Sequence, residues 1–227
     1  DLYPGQRDLW KQEKLAYDAL HEIHEAAPDS VMHLIEYKVF EPGTYSTVIS
    51  DYGVAMAMAD SLGERAGVLV DMGHHPHGVN VAQIVARLIG TGRHGGFHFN
   101  TRYAADDDHA VEPNLQMYAI FWELVKGEVV CADDPSRNWA YMIDQCSSLE
   151  NRIHAVLHSI DSLQVSLTRA LIVDREELAE FQATQDIIPA SRTFLDAFLT
   201  DVRPILYMAR MEKGLPLDPV EAYRESG

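Results

Sequence analysis

Short apolar segments alternate with longer amphipathic segments through residues 1–146, and this alternation constrains the fold more than any other feature of the sequence. A short apolar run bounded by glycine or proline is typical of a buried strand, whereas apolar residues recurring at helical spacing are typical of a helix. Strands and helices that alternate predict parallel βαβ units with right-handed crossovers. The predicted strands span residues 31–40, 67–75, 96–100 and 139–146, and the predicted helices span residues 7–27, 47–62, 79–89 and 115–127.

The part of the chain after the fourth predicted strand has a different pattern, which is almost wholly helical as far as Met211. Breaks are predicted near Asp186 and Pro189, and the tail after Gly214 is predicted to be loose. No glycine-rich phosphate loop follows any predicted strand, so a nucleotide-binding open sheet has little support.

A residue able to bind a metal ion lies at or just beyond the C-terminal end of each predicted strand: Glu36, Asp71, His98 and Asp144. A carboxylate on an apolar strand needs a cation beside it, because burying it alone is very costly. Any one of these residues could be an ordinary capped or salt-bridged side chain, but the set favours a metal site. Ligands at the carboxyl ends of successive strands are typical of a (β/α)₈ barrel. Lys38 lies two residues after Glu36, so both side chains are predicted to share one face of the strand.

The loops after the second and third predicted strands add further candidate ligands. His74 follows Asp71 by three residues, and Asp106 and Asp108 are spaced so that one extended loop offers both carboxylates to one ion. Asp107, between them, is predicted to face the other way. Three aspartates in a row are by themselves more typical of a solvated turn, and only the neighbouring strand-end ligands favour the metal interpretation.

The combined ligand set contains carboxylates and imidazoles but no thiolate, which suits Mn²⁺, Co²⁺ or Mg²⁺ better than a structural zinc site. The number of candidate ligands predicts two divalent ions, with Mn²⁺ preferred.

Composition excludes several classes of partner. The sequence has 18 basic and 35 acidic side chains and a formal net charge of −17, which disfavours nucleic acid and anionic membrane surfaces. No stretch approaches the roughly 20 apolar residues of a membrane span. Cys131 and Cys146 do not suggest a disulfide framework, so a reducing cytoplasm is the expected location.

Five motifs follow one another along the chain: EYKVFEP (36–42), VLVDMGHH (68–75), GFHFN (96–100), YAADDDH (103–109) and MIDQC (142–146). They resemble, in order, the strand-end motifs of the L-rhamnose isomerase group of xylose isomerase-like barrels. The likeness extends from the YPGQ at 3–6 to the closing VEAYRESG at 220–227. It implies that residues 1–147 supply strands five to eight of a (β/α)₈ TIM barrel. Residues 148–227 would then form a helical extension with a possible role in oligomerisation.

The resemblance also implies a role for each matching residue. One ion would be held by the four strand-end residues, and the second would be held by His74, Asp106 and Asp108. Lys38 would hydrogen-bond O1 of the sugar, and His74 and Asp144 would also contact the substrate. The catalytic residues implied in this way are Lys38, Asp144, Glu36 and His74, and the metal ligands are Glu36, Asp71, His74, His98, Asp106, Asp108 and Asp144.

The activity implied by the resemblance is the conversion of L-rhamnose to L-rhamnulose, by a metal-assisted hydrogen shift between C1 and C2 of the open-chain sugar. A homotetramer is implied as well. The four earlier strands of the family's barrel have no counterpart here, so we expect the N-terminal half of the barrel from the same or another chain.

Three alternatives to this activity stay open. A ketose 3-epimerase of the same superfamily would use one ion between two glutamates. An endonuclease IV-like barrel is disfavoured by the negative charge. An inactive half-barrel that requires a partner chain is the non-enzymatic alternative.

Overall fold

The computed structural model describes residues 5–41, 45–103, 106–130, 137, 139–145 and 148–226, without the side chains of residues 40, 41, 45, 46 and 106. The strands are β1 (His33–Glu36), β2 (Phe40–Glu41), β3 (Tyr45–Ser46), β4 (Ala66–Asp71), β5 (Gly95–Phe99), β6 (Thr101–Tyr103), β7 (Asp106–His109) and β8 (Ala140–Ile143). The helices are α1 (Leu9–Ala26), α2 (Tyr52–Leu62), α3 (Val81–Gly90), α4 (Leu115–Lys126), α5 (Arg152–Leu171), α6 (Arg175–Thr184), α7 (Ile187–Leu199), α8 (Arg203–Glu212) and α9 (Pro219–Glu225).

Four strands pair in the order β1-β4-β5-β8, and every pair is parallel. All six residues of β4 are buried, as expected for a central strand of a parallel sheet. The register places Asp71 beside His98, at the carboxyl ends of β4 and β5. The predicted α/β class with parallel strands is therefore confirmed. Closure of the sheet into a barrel stays a prediction.

The helices that link these strands begin at side-chain caps. The carboxylate of Asp51 accepts hydrogen bonds from the first turn of α2, and the Asn80 and Asn114 side chains do the same for α3 and α4. Each of these helices begins well beyond the end of the parallel strand before it, which leaves long intervening loops available for the site.

Two short hairpins lie beyond the predicted strands, apart from Phe40 of β2, which falls at the end of the predicted strand 31–40. β2 pairs with β3, and β6 pairs with β7, in both cases antiparallel. The second hairpin has an irregular register between Thr101 and Tyr103, and Asp108 within it has a φ of 65°. This hairpin carries the acidic loop.

The chain divides into two compact units, residues 1–109 with 131–145 and residues 110–130 with 146–227. The predicted boundary at residue 147 stays a prediction. Within the described residues, no helix is long and apolar enough to cross a membrane.

The second unit corrects two predictions about helices. A break near Asp186 is confirmed, because α6 ends at Thr184 and Gln185 adopts the left-handed conformation. Pro189 does not interrupt a helix. It lies in the first turn of α7, where its missing N–H costs no intrahelical hydrogen bond. The tail after Gly214, predicted to be loose, contains α9, which Asp218 caps.

Candidate metal centre

The carboxyl ends of the four parallel strands bring Glu36, Asp71, His98 and Asp144 together. One ligand atom from each side chain lies within 4.8 Å of the others. Nδ1 of His98 lies 3.0 Å from Oε1 of Glu36, 3.4 Å from Oδ2 of Asp144 and 3.7 Å from Oδ2 of Asp71. Three carboxylates thus surround one imidazole nitrogen.

Asp71 is the most buried of these donors, with none of its surface exposed. Its Oδ1 accepts hydrogen bonds from the Gly73 N–H at 2.8 Å and from Nδ2 of Asn100 at 3.0 Å, and Oδ2 lies 3.1 Å from the same amide. Burial raises the pKa of Asp71, although His74, the Asn100 amide and the Gly73 N–H act in the opposite direction. Neutral donors orient this carboxylate but do not neutralise its charge.

Glu36 and His98 shift each other's pKa. Partial burial acts to raise the pKa of Glu36, but the hydrogen bond and positive charge of His98 lower it below its ordinary value. The same hydrogen bond raises the pKa of His98 above its ordinary value, against the effect of burial. When protonated, the imidazole acts as a counter-ion to the carboxylates, and a divalent ion would take that place when the ring binds it.

His74 adds a second donor group beside the first. Its Nδ1 lies 3.0 Å from the backbone oxygen of Tyr37, which can only accept, so Nδ1 carries a hydrogen. Nε2 then faces Oδ2 of Asp107 at 3.1 Å and Oδ1 of Asp71 at 3.7 Å. A nitrogen lone pair and two carboxylates at these distances need a proton or a cation between them.

Asp107 was expected to face away from the site, and that expectation is wrong. Its carboxylate is buried and lies 3.0 Å from the ammonium of Lys38, in addition to its contact with His74. Regular alternation along the loop does not hold, because Asp108 has left-handed backbone geometry and the hairpin register is irregular. Asp71, His74 and Asp107 form the second group of ligand atoms within 4.8 Å of one another.

The other two aspartates of the loop stay candidates. The side chain of Asp106 lies outside the described residues. Burial raises the pKa of Asp108 to about 6, and the negative charges of Asp107, Asp144 and Asp71 add to the shift. Asp108 therefore lies close enough to these carboxylates for their negative charge to raise its pKa.

Both donor groups suit a hard or borderline divalent ion. Their ligand atoms are carboxylate oxygens and imidazole nitrogens, as Mn²⁺, Mg²⁺ and Co²⁺ prefer. A fully buried carboxylate with only neutral hydrogen-bond donors at its oxygens also calls for a nearby cation. The residues present thus fit a divalent ion.

Sequence reasoning missed Asn100 and Asp107 as parts of this centre. A signal for Asn100 was present, since a polar amide ends the otherwise apolar GFHFN segment directly after β5. No comparable signal marked Asp107, because the sequence does not show which of three adjacent aspartates turns inward.

The chain is similar over almost its whole length to two curated proteins, although no protein-family model matches it. A probable sugar isomerase of Rhizobium meliloti (strain 1021) is 40% identical over 230 residues, which cover 99% of this chain and 52% of the relative. A probable sugar isomerase of Mesorhizobium japonicum is 38% identical over 230 residues, with the same coverage. The predicted similarity to sugar isomerases is confirmed at this level. The chain spans about half the length of the curated relatives it matches.

Proposed function

We propose that this protein is a metal-dependent sugar isomerase that interconverts an aldose and its 2-ketose, with L-rhamnose and L-rhamnulose as the preferred pair. The observation that carries the proposal is the donor cluster at the carboxyl ends of four parallel strands, where Glu36, Asp71, His98 and Asp144 converge. The names of the two similar proteins support a sugar isomerase in general. The choice of rhamnose rests on the strand-end motifs.

The proposal includes two divalent ions, preferably Mn²⁺. The four strand-end residues would hold the first ion. His74 would bind the second through Nε2, together with the carboxylates of the loop. Among these, Asp106 and Asp108 are implied by the family resemblance, and Asp107 is the carboxylate that faces His74 in the structure.

The reaction moves one hydrogen between carbons and one proton between oxygens. From aldose to ketose, the hydrogen on C2 transfers to C1 with its electron pair, and the proton of the O2 hydroxyl ends on O1. A bound divalent ion supplies Lewis-acid polarisation of the sugar oxygens.

The chain's own residues would contribute the proton transfers and charge stabilisation. Lys38, with its ammonium held by Asp107, donates a hydrogen bond to O1 as negative charge develops there. Asp144 has a side chain that is 44% exposed, so it can accept the O2 proton and return it at O1.

The larger architecture belongs to the proposal too. We propose that β1, β4, β5 and β8 are strands five to eight of a TIM barrel, with residues 148–227 as a helical extension. The first four strands would come from the same or another polypeptide. We also propose that the protein forms a homo-oligomer and is located in the cytoplasm.

Two measurements test the proposed function. The full chain is loaded with Mn²⁺ and assayed for ketose formation from L-rhamnose and other aldoses. If a second polypeptide carries the first four strands of the barrel, that polypeptide is added to the assay. Metal content is measured on the same sample. Ketose formation with two ions per chain is the expected result. One tightly bound ion with epimerisation at C3 would support the epimerase instead, and absence of metal binding would refute both.

Lys38→Met tests the role of the lysine directly. We expect a 10²–10³-fold lower kcat with both ions still bound, by analogy with the loss of one donor to a developing oxyanion. Lys126→Met is the matched control, because this exposed lysine pairs with Glu123 on α4, on an element that carries none of the proposed ligands. Unchanged kcat in Lys38→Met would remove the lysine from the mechanism.

A further inference from the structure

Tyr37 and His75 form a buried polar pair beside the second donor group. The Tyr37 hydroxyl lies 2.6 Å from Nε2 of His75, and the two rings meet edge to face. Tyr37 is 2% exposed and His75 is 5% exposed. A hydrogen bond this short between two buried side chains fixes both of them.

The pair connects two segments that carry proposed metal ligands. Tyr37 lies between Glu36 and Lys38, directly after β1, whereas His75 follows His74 in the loop after β4. The hydroxyl of Tyr37 therefore ties the loop after β4 to the end of β1, across a sequence separation of 38 residues.

The backbone of Tyr37 acts on the neighbouring histidine. Its carbonyl oxygen accepts from Nδ1 of His74 at 3.0 Å, which leaves Nε2 facing Asp107 and Asp71. One residue thus holds His75 through its side chain and sets the ring orientation and tautomer of His74 through its main chain.

Arg102 on β6 holds the same loop from the opposite side. Its guanidinium donates to the carbonyl oxygens of Gly73, at 3.0 Å, and of His75. These bonds hold the backbone of the loop to β6. The Tyr37–His75 hydrogen bond holds the same loop to the end of β1.

We infer that Tyr37 and His75 are positioning residues that aim Nε2 of His74 at the second ion, an inference that rests on the proposed function. The Tyr37 hydroxyl bonds to His75, in the loop that carries His74, and not to Glu36, His98 or Asp144 of the first donor group. Loss of the hydroxyl should therefore weaken binding of the second ion and leave binding of the first ion unchanged.

Tyr37→Phe in the full chain tests this inference, with Mn²⁺ titration followed by electron paramagnetic resonance of the free ion. Outer partners of metal-binding histidines typically contribute about 10–100-fold to affinity. We expect the second Mn²⁺ affinity to fall by about that factor and the first to change less than about twofold.

Tyr118→Phe is the matched control, because this buried tyrosine donates its hydroxyl to the Phe194 carbonyl oxygen at 2.8 Å in the other unit. It should lower the melting temperature without changing either affinity. His75→Leu should reproduce the Tyr37→Phe effect, and His75→Gln, which keeps an acceptor for the hydroxyl, should restore part of the second affinity.

The outcomes separate this inference from the proposed function. If the wild-type chain binds two ions and Tyr37→Phe binds both with unchanged affinity, only the inference is overturned. Equal loss of both affinities also overturns it, because that result indicates a general structural role. If the wild-type chain binds no Mn²⁺, the proposed function fails and the inference fails with it.

Discussion

Asp71 shows at the scale of a single residue why this centre calls for a cation. Its carboxylate is fully buried, and removal of a carboxylate from water costs several kcal/mol even after a protein relaxes around it. The Gly73 N–H and the Asn100 amide supply hydrogen bonds but no charge. The remaining cost is met by His98, whose raised pKa reflects the surrounding carboxylates, or by a metal ion.

The pH dependence of stability in the metal-free chain tests the electrostatics at Asp108. Its pKa is raised from 3.8 to about 6, so the folded state favours the protonated form. The stabilisation is present below about pH 4 and is lost as the pH rises towards about 6. We expect wild type to lose stability across this window relative to Asp108→Asn, as measured by melting temperature in the presence of a chelator.

Asp18→Asn is the control for the pH experiment, because Asp18 lies on the exposed face of α1 and pairs with Lys14. Its melting curve should run parallel to that of wild type. Parallel curves for wild type and Asp108→Asn would contradict the assignment, since they would show that neither burial nor the neighbouring carboxylates raise the pKa of Asp108.

At the scale of elements, the sequence predicted the parallel strands well because each is a short apolar run bounded by breakers. Val68 and Phe97 lie in the middle of such runs and are fully buried in β4 and β5. The hairpins were missed, because β2 and β3 have only two residues each and β7 is the polar segment DDDH, so neither hairpin contains an apolar run. A helix break at Pro189 was predicted wrongly, because the sequence alone does not show that this proline lies in the first turn of a helix, where proline is tolerated.

The site was predicted where strand geometry alone determines side-chain position. Glu36 and Asp71 are the last residues of β1 and β4, and His98 is the penultimate residue of β5. Their convergence therefore follows from the parallel topology. Asp107 could not be predicted, because its direction depends on the left-handed geometry of Asp108. The role of Tyr37 was equally hidden, since its main-chain oxygen binds His74.

Gly73→Ala tests how closely the loop after β4 packs against the acidic hairpin. A Cβ at this position would lie 2.3 Å from Cβ of Asp107 and 3.1 Å from Oδ1 of Asn100. Asp107 would have to move away from His74 and Lys38. We expect the second Mn²⁺ affinity to fall by about tenfold or more and the melting temperature to fall by several degrees.

Gly90→Ala is the control for that substitution. Its added Cβ would meet nothing within 4 Å, and alanine has a higher helix propensity than glycine at this last residue of α3. The variant should therefore melt slightly higher and bind metal as wild type does. Wild-type affinities in Gly73→Ala would contradict the packing described for the hairpin.

For the whole molecule, the proposed first metal site links residues that are far apart in sequence. Glu36 and Asp144 are separated by the helices and loops that connect four parallel strands, yet both approach Nδ1 of His98. A bound ion would join all four strand ends, in a chain whose net charge of −17 already opposes compaction. Metal binding and stability of the folded chain should therefore be coupled.

Mn²⁺ should raise the melting temperature of the full chain relative to a sample with chelator. At an ion concentration about 100 times the dissociation constant, one site adds ~2.7 kcal/mol, because the folded state binds the ion and the unfolded state does not. That gain corresponds to roughly 5–10 °C for a chain of this size, measured by differential scanning fluorimetry. Asp71→Asn removes the buried charge but keeps the side-chain shape, so it should abolish the rise. Asp196→Asn, at an exposed aspartate of α7, should retain it. An undiminished rise in Asp71→Asn would show that the stabilising ion binds elsewhere than at the strand ends.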